Sequence, residues 1–153
     1  MYDVQIRDVP RRAMVSERQH HVRQADLPQA NIGALGRVAE AAQRYGGPAA
    51  PLFTIFHDEE YDENDINFET CAPIADTAEP SGDPAIRVEP AHREAYVRLT
   101  SKQAMPPEIG AAYGAVSEWI RSNGHAVAFG PREIYLRDFA TAADDDIMLE
   151  VAF

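Results

Sequence analysis

Cysteine is nearly absent. The one residue, Cys71, can form neither an internal disulfide nor a cysteine-based zinc site, so a cytoplasmic chain is expected. No run of about eighteen apolar residues occurs, so no membrane helix is expected. The N-terminal stretch MYDVQIRDVP lacks a basic region followed by an apolar run and does not read as a secretory signal. Basic residues are scarce. The 14 Lys and Arg face 25 Asp and Glu, a net charge of -11, which sets the chain against DNA, RNA and anionic lipid. Direct nucleic-acid or membrane binding is therefore not expected of it. G-x-S-x-G, the P-loop and G-x-G-x-x-G are all missing. His20, His21, His57, His92 and His125 show no metal-ligand spacing, and nothing sets a histidine beside Cys71. No metal and no cofactor are expected. The acidic run DEEYDENDINFE lacks the central glycine of an EF-hand loop. HDEEYDEND (His57–Asp65) and ADDD (Ala143–Asp146) read as solvated hairpin loops.

What the chain does contain is a repeat. Its 153 residues suffice for a single domain with a real core, and the same order of elements occurs twice in them, at about 1–76 and 84–153. VQIRDVPRRAMVSER answers to IRVEPAHREAYVRLT, each an extended run broken by Pro10 or Pro90. NIGALGRVAEAAQRYGG answers to EIGAAYGAVSEWIRSNG, with Ile32-Gly33-Ala34 against Ile109-Gly110-Ala111. The apolar spacing predicts helices with Ile32, Leu35, Ala39 and Ala42 on one buried face and Ile109, Tyr113, Val116 and Ile120 on the other. Gly46-Gly47 and Asn123-Gly124 mark their ends. PLFTIFHD then answers to PREIYLRD, and INFETCAPI to IMLEVAF, with Glu69 matching Glu150. DTAEPSGDP (Asp76–Pro84) has linker composition. The expected fold class is α+β: two pseudo-symmetric strand–helix–strand–strand repeats with antiparallel sheets and a central cleft.

One strand carries a residue that a strand does not need. Matching Pro51 with Pro131 sets Phe53 against Glu133 and Ile55 against Tyr135. Strand side chains alternate, so Glu133 and Tyr135 share a face while Ile134 and Leu136 take the other, expected to lie under the helix. A carboxylate there either pairs with a local base such as Arg132 or Arg137, or lines a cleft and meets a cation among aromatic rings. The rings on hand are Tyr113 and Trp119 on the second helix, Tyr135 itself, Phe53 and Tyr96. Tyr113 and Trp119 at helical spacing suit a core as well as a cage.

The ordered series GALGRVAEAAQRYGG, PLFTIFHD, INFETCAPI, RVEPAHREAYVRLT, IGAAYGAVSEWIRSNGH, PREIYLRD and IMLEVAF resembles the GyrI-like family over essentially the whole chain. That family is the effector-binding domain found alone or attached to MerR- and AraC-type transcription regulators. The resemblance implies a pseudo-symmetric duplication with a central pocket for hydrophobic, often cationic compounds. It implies a pocket glutamate at Glu133, aromatic walls at Tyr113, Trp119 and Tyr135, and a further acidic position at Glu69, which a structural hydrogen bond would explain equally. The chain begins directly with its first strand and ends within its last, with no helix-turn-helix. It is expected to be either a stand-alone binder or an effector domain cut from a longer regulator. Two alternatives stand beside a small-molecule sensor. One is a hydrolase or sequestering protein for strained electrophiles, with Glu133 as catalytic carboxylate. The other is an inhibitor module that binds another protein through HDEEYDEND.

Overall fold

A computed structural model describes residues 2–75 and 85–153; the expected linker Asp76–Pro84 lies outside the described residues. The fold is α+β. Its elements are β1 (Gln5–Val9), β2 (Arg12–Val22), α1 (Leu27–Ala42), β3 (Phe53–Phe56), β4 (Ile66–Pro73), β5 (Ile86–Glu89), β6 (His92–Thr100), α2 (Glu108–Ser122), β7 (Arg132–Tyr135) and β8 (Ile147–Ala152). None of the described helices is long and apolar enough to cross a membrane.

The chain forms two compact units. One contains Met1–Val9 and Arg93–Phe153, the other Pro10–His92. Strand order is β1-β6-β8-β7 in the first and β5-β2-β4-β3 in the second. The two orders are the same once β1 is read as β5, β6 as β2, β8 as β4 and β7 as β3. The opening strand of each repeat therefore packs in the unit built mainly from the other repeat. Pro10 and Pro90 sit where these strands part from their successors, and proline lacks the N–H that a continuous ladder would use.

Each unit buries its own apolar cluster under its helix. In the first, Ala112, Val116 and Ile120 of α2 pack on Ala95, Val97, Leu99, Leu149 and Val151, with Ile109 and Tyr113 at the margin. Each fully buried Val or Leu there contributes about 1.5–3 kcal/mol of transfer free energy. In the second, Val38 and Ala42 pack on Ala13, Val15, Ala72, Ile74 and Ile86. The α1 face is not the expected one. Ala34, Val38 and Ala42 are buried, while Ile32 is 69 % exposed. By burial, Ala34, Val38 and Ala42 answer to Ala112, Val116 and Ile120, one residue away from the Ile32–Ile109 match. On a helix, one residue is about 100° of rotation, enough to turn Ile32 to solvent. Past α1, a short 3-10 turn (Gln43–Tyr45) leads to Gly46 at φ 90°, and Gly124 after α2 has φ 72°, left-handed positions that glycine fills without strain.

On the face of each sheet away from its helix lies a buried glutamate held by arginines. Glu69 is fully buried. It accepts hydrogen bonds from Arg87 Nε at 2.5 Å and Nη2 at 2.9 Å and pairs with His57 Nε2 at 3.0 Å, while the exposed Arg18 guanidinium lies 3.7 Å away as an ion pair. Glu150, its counterpart, accepts from Arg7 at 2.7 Å and from Arg98 at 3.1 Å. Arg7 and Arg87 are the equivalent residues of the two exchanged strands. Burial alone would raise the Glu69 pKa; the hydrogen bonds from His57 and Arg87 and the charge of Arg87 outweigh it and hold the group well below the carboxylate range.

Glu69→Gln should therefore leave Arg87 without its counter-charge and cost roughly 3 kcal/mol in urea unfolding, the scale for breaking a buried pair. Glu17→Gln, which breaks the exposed Arg37–Glu17 pair, should leave urea unfolding nearly unchanged. Because the folded Glu69 pKa is depressed, its stabilisation is complete above the ordinary value of 4.5 and is lost as the pH falls below it. The wild-type and Glu69→Gln stabilities should converge in that acid window.

Candidate functional site

Strand register, which the sequence does not show, corrects the internal comparison at β7. Ile55 lies opposite Glu69, and Ile134 lies opposite Glu150. Since Glu69 and Glu150 are counterparts, so are Ile55 and Ile134. The residue equivalent to Glu133 is then Thr54, and Phe53 answers to Arg132. A slip of one residue moves every side chain to the other face of a strand, so the Phe53–Glu133 match compared opposite faces. Glu133 and Tyr135 face α2; Ile134 lies on the other side with buried Arg132, and Leu136 falls beyond the strand and is 36 % exposed. This reverses the expectation that Ile134 and Leu136 lie under the helix.

The polar position on the helix-facing side is handled differently in the two units. Thr54 is fully buried and donates its hydroxyl to Asn31 Oδ1 on α1 at 2.7 Å; Thr70 donates to the same oxygen at 3.2 Å. That unit closes the position with neutral groups. In the other unit, Tyr113 of α2 donates its phenol to Glu133 Oε1 at 2.7 Å, and Tyr135 of β7 donates to Oε2 at 3.1 Å. Each carboxylate oxygen thus has one hydroxyl partner. The placement has a local cause on both sides. Tyr113 stands one residue past buried Ala112 on α2, at the edge of the packed face, and Tyr135 follows Glu133 by two on an alternating strand.

The electrostatics set Glu133 apart. Among the described residues, Glu17, Glu69, Glu89, Glu94 and Glu150 are the other strand glutamates, and each pairs with an arginine. Glu133 has no cationic partner among the described residues. Burial pushes its pKa above the ordinary carboxylate value, and the two phenol hydrogen bonds offset only part of that push. Burial, reinforced by the adjacent Glu133 charge, raises the Tyr113 phenol well above 10. The phenols are therefore neutral donors. They solvate the carboxylate and leave its charge in place.

The other expected residues divide. Trp119 packs on the same cluster as Tyr113 and Tyr135, and its ring stacks on His125 at 6.3 Å. Tyr96 stands on the opposite face of its sheet, where the Arg7 guanidinium lies 4.0 Å over its ring and its hydroxyl donates to Gln5. Phe53 and Glu69 belong to the other unit, on the face away from α1; Phe53 is buried, with the Arg12 guanidinium 4.7 Å over its ring. The basic partners considered for Glu133 are engaged elsewhere: Arg132 lies 3.5 Å from Glu94, and Arg137 lies 3.7 Å from Asp146. Two aromatic neighbours were not anticipated. Phe153 meets Tyr113 edge-on at 6.1 Å, and Phe139 tilts against Tyr135 at 6.4 Å. Phe139 follows Tyr135 by four residues in an irregular loop, where no periodicity signals a contact.

The sequence matches the GyrI-like small molecule binding domain over residues 3–153. The chain belongs to the GyrI-like family. Solved structures agree in fold. The EcmrR C-terminal domain superposes with a TM-score of 0.77 at 22 % identity, covering 100 % of this chain and 96 % of that one. EcmrR in its DNA complex gives 0.76 at 22 % identity over 99 % of this chain, which spans 56 % of the EcmrR chain. SAV2435 bound to tetraphenylphosphonium gives 0.62 at 14 % identity, covering 98 % and 92 % of the two chains. No curated protein matches the sequence. As a GyrI-like domain the chain is a small-molecule binding domain, and the geometry that makes its Glu133 unlike its other strand glutamates is internal to the unit carrying α2.

The raised pKa has a sign that can be checked. Ionisation of Glu133 opposes folding, a penalty absent below the ordinary carboxylate range and complete above the raised pKa. Glu133→Gln keeps an oxygen for one phenol and removes the charge, so at pH 7 its melting temperature should equal or exceed that of the wild type. Tyr113→Phe withdraws a donor from the buried carboxylate and should cost about 1–3 kcal/mol. A destabilised Glu133→Gln would mean that the charge is compensated within the fold.

Proposed function

We propose that this GyrI-like domain binds lipophilic cations, with Glu133 as the charge-reading group. The observation that carries the reading is the contrast among strand glutamates: five have arginine partners and Glu133 has two phenols. A partly buried carboxylate with neutral donors retains a full negative charge in a medium of low dielectric, where an incoming cation gains more than it would in water. Tyr113 and Tyr135 add aromatic faces that attract the same cations. Trp119 completes the aromatic set, while Phe53, Tyr96 and Glu69 serve structure, since each is already engaged by an arginine. The tetraphenylphosphonium held by SAV2435 is a ligand of this chemistry.

The likeness to EcmrR supports a role as the sensory part of a cytoplasmic DNA-binding regulator. Such a domain would alter its attached partner only through unequal ligand affinity for two states. A second reading rests on the same contact. A carboxylate with a raised pKa beside the Tyr113 hydroxyl is an arrangement for activating water on a strained electrophile.

The test is titration with tetraphenylphosphonium and with neutral triphenylphosphine oxide, followed by Trp119 fluorescence and calorimetry, on wild type and Glu133→Gln. The variant should bind the cation at least about tenfold more weakly, a loss of roughly 1.4 kcal/mol, and the neutral compound unchanged. Wild-type affinity for the cation should fall as the pH drops through the raised Glu133 pKa, because protonation removes the charge. Equal affinities for both compounds in both proteins would overturn the charge-reading role. Turnover of an epoxide, lost in Glu133→Gln, would establish the hydrolytic reading instead.

A further inference from the structure

Phe139 is a large apolar side chain that the fold keeps at its surface: it is 49 % exposed, on the loop between β7 and β8. The loop holds it there by specific bonds. Asp138 Oδ1 accepts the Ala140 N–H at 2.9 Å, and the Asp138 carbonyl accepts the N–H groups of Thr141 and Ala142, both at 3.2 Å. These bonds pin the turn on which Phe139 stands. One side of the Phe139 ring rests on Tyr135, with centroids 6.4 Å apart and planes inclined by 60°. Tyr135 in turn donates to Glu133 at 3.1 Å. A continuous path thus leads from the carboxylate through a half-buried phenol to an exposed ring. Lone apolar side chains on a surface are common, but a ring docked on the phenol that solvates an arginine-free carboxylate is continuous with a site.

We propose that Phe139 is the outer aromatic wall of the Glu133 site and that it selects cations bearing aryl groups over cations of similar size bearing alkyl chains. This specificity role rests on the Glu133 reading. An aryl group of the ligand packs on the free part of the Phe139 ring, in the offset or edge-on geometry that aromatic quadrupoles favour, while the cationic centre meets Glu133. An alkyl chain at the same place gains only contact area.

The experiment compares tetraphenylphosphonium with tetrabutylphosphonium by calorimetry on the wild-type chain, Phe139→Ala, Phe139→Leu and Glu133→Gln, with thermal melts to establish folding. Phe139→Ala should weaken tetraphenylphosphonium roughly threefold to tenfold, the scale of an aromatic pair, and tetrabutylphosphonium by less than about twofold. Phe139→Leu keeps apolar bulk without the ring and should lose the same discrimination. Glu133→Gln should weaken both cations alike. If Phe139→Ala weakens the two cations equally, or neither, while Glu133→Gln still weakens both, the wall is refuted and the Glu133 site stands. A wild-type chain that binds neither cation overturns both.

Discussion

Burying a carboxylate costs several kcal/mol unless its charge or its hydrogen-bonding capacity is met, and the strands of the described residues carry six glutamates. How each is met organises much of what the structure does. Glu69 and Glu150 lie near the middle of their sheets, and each takes an arginine from the edge strand of the same sheet, Arg87 or Arg7. Those edge strands open the opposite repeats. The exchange of first strands thus brings a cation to each buried acid. Glu94 shares Arg7 with Glu150 and also meets buried Arg132, so one side of that sheet carries a connected ionic layer.

Glu133 stands on the other side of the same sheet, one residue from Arg132, and the alternation of the strand separates the two completely. Arg132 is spent on Glu94. Among the described residues, the groups that hydrogen-bond Glu133 are hydroxyls, and a hydroxyl stabilises an anion without cancelling it. Its counterpart Thr54 shows the ordinary solution to the same position, a neutral side chain satisfied by Asn31 from the helix above. At this position the two repeats therefore differ in charge while their strand order is retained.

Aromatic side chains follow the same division. Tyr96 and Phe53 are each covered by a guanidinium on the ionic faces, which uses the ring surface a ligand would need. Tyr113 meets Phe153 and Tyr135 meets Phe139 on the α2 side, away from the ionic face. The attraction we propose for a cation at Glu133 therefore belongs to one face of one sheet. The net charge of -11 adds a diffuse pull of the same sign over longer range.

The sequence by itself determined the order of the elements, their duplication, the helix ends at Gly46 and Gly124, the family, and the sharing of a strand face by Glu133 and Tyr135. These follow from local rules: periodicity, turn chemistry and alternation act over a few residues and leave their mark in the chain. Tertiary structure decided which helix face is buried, which strand edges the exchanged β1 and β5 occupy, and that Glu133 looks toward α2 and Tyr113. It also decided that Arg132 points away and that Phe139 returns to Tyr135. Each of these depends on packing between segments distant in sequence, and in the strands a register shift of one residue inverts every side chain. Ile32 and Phe53 show the cost of matching the repeats by identity alone: both matches were off by one, which turned Ile32 about 100° around its helix and put Phe53 on the opposite face of its strand.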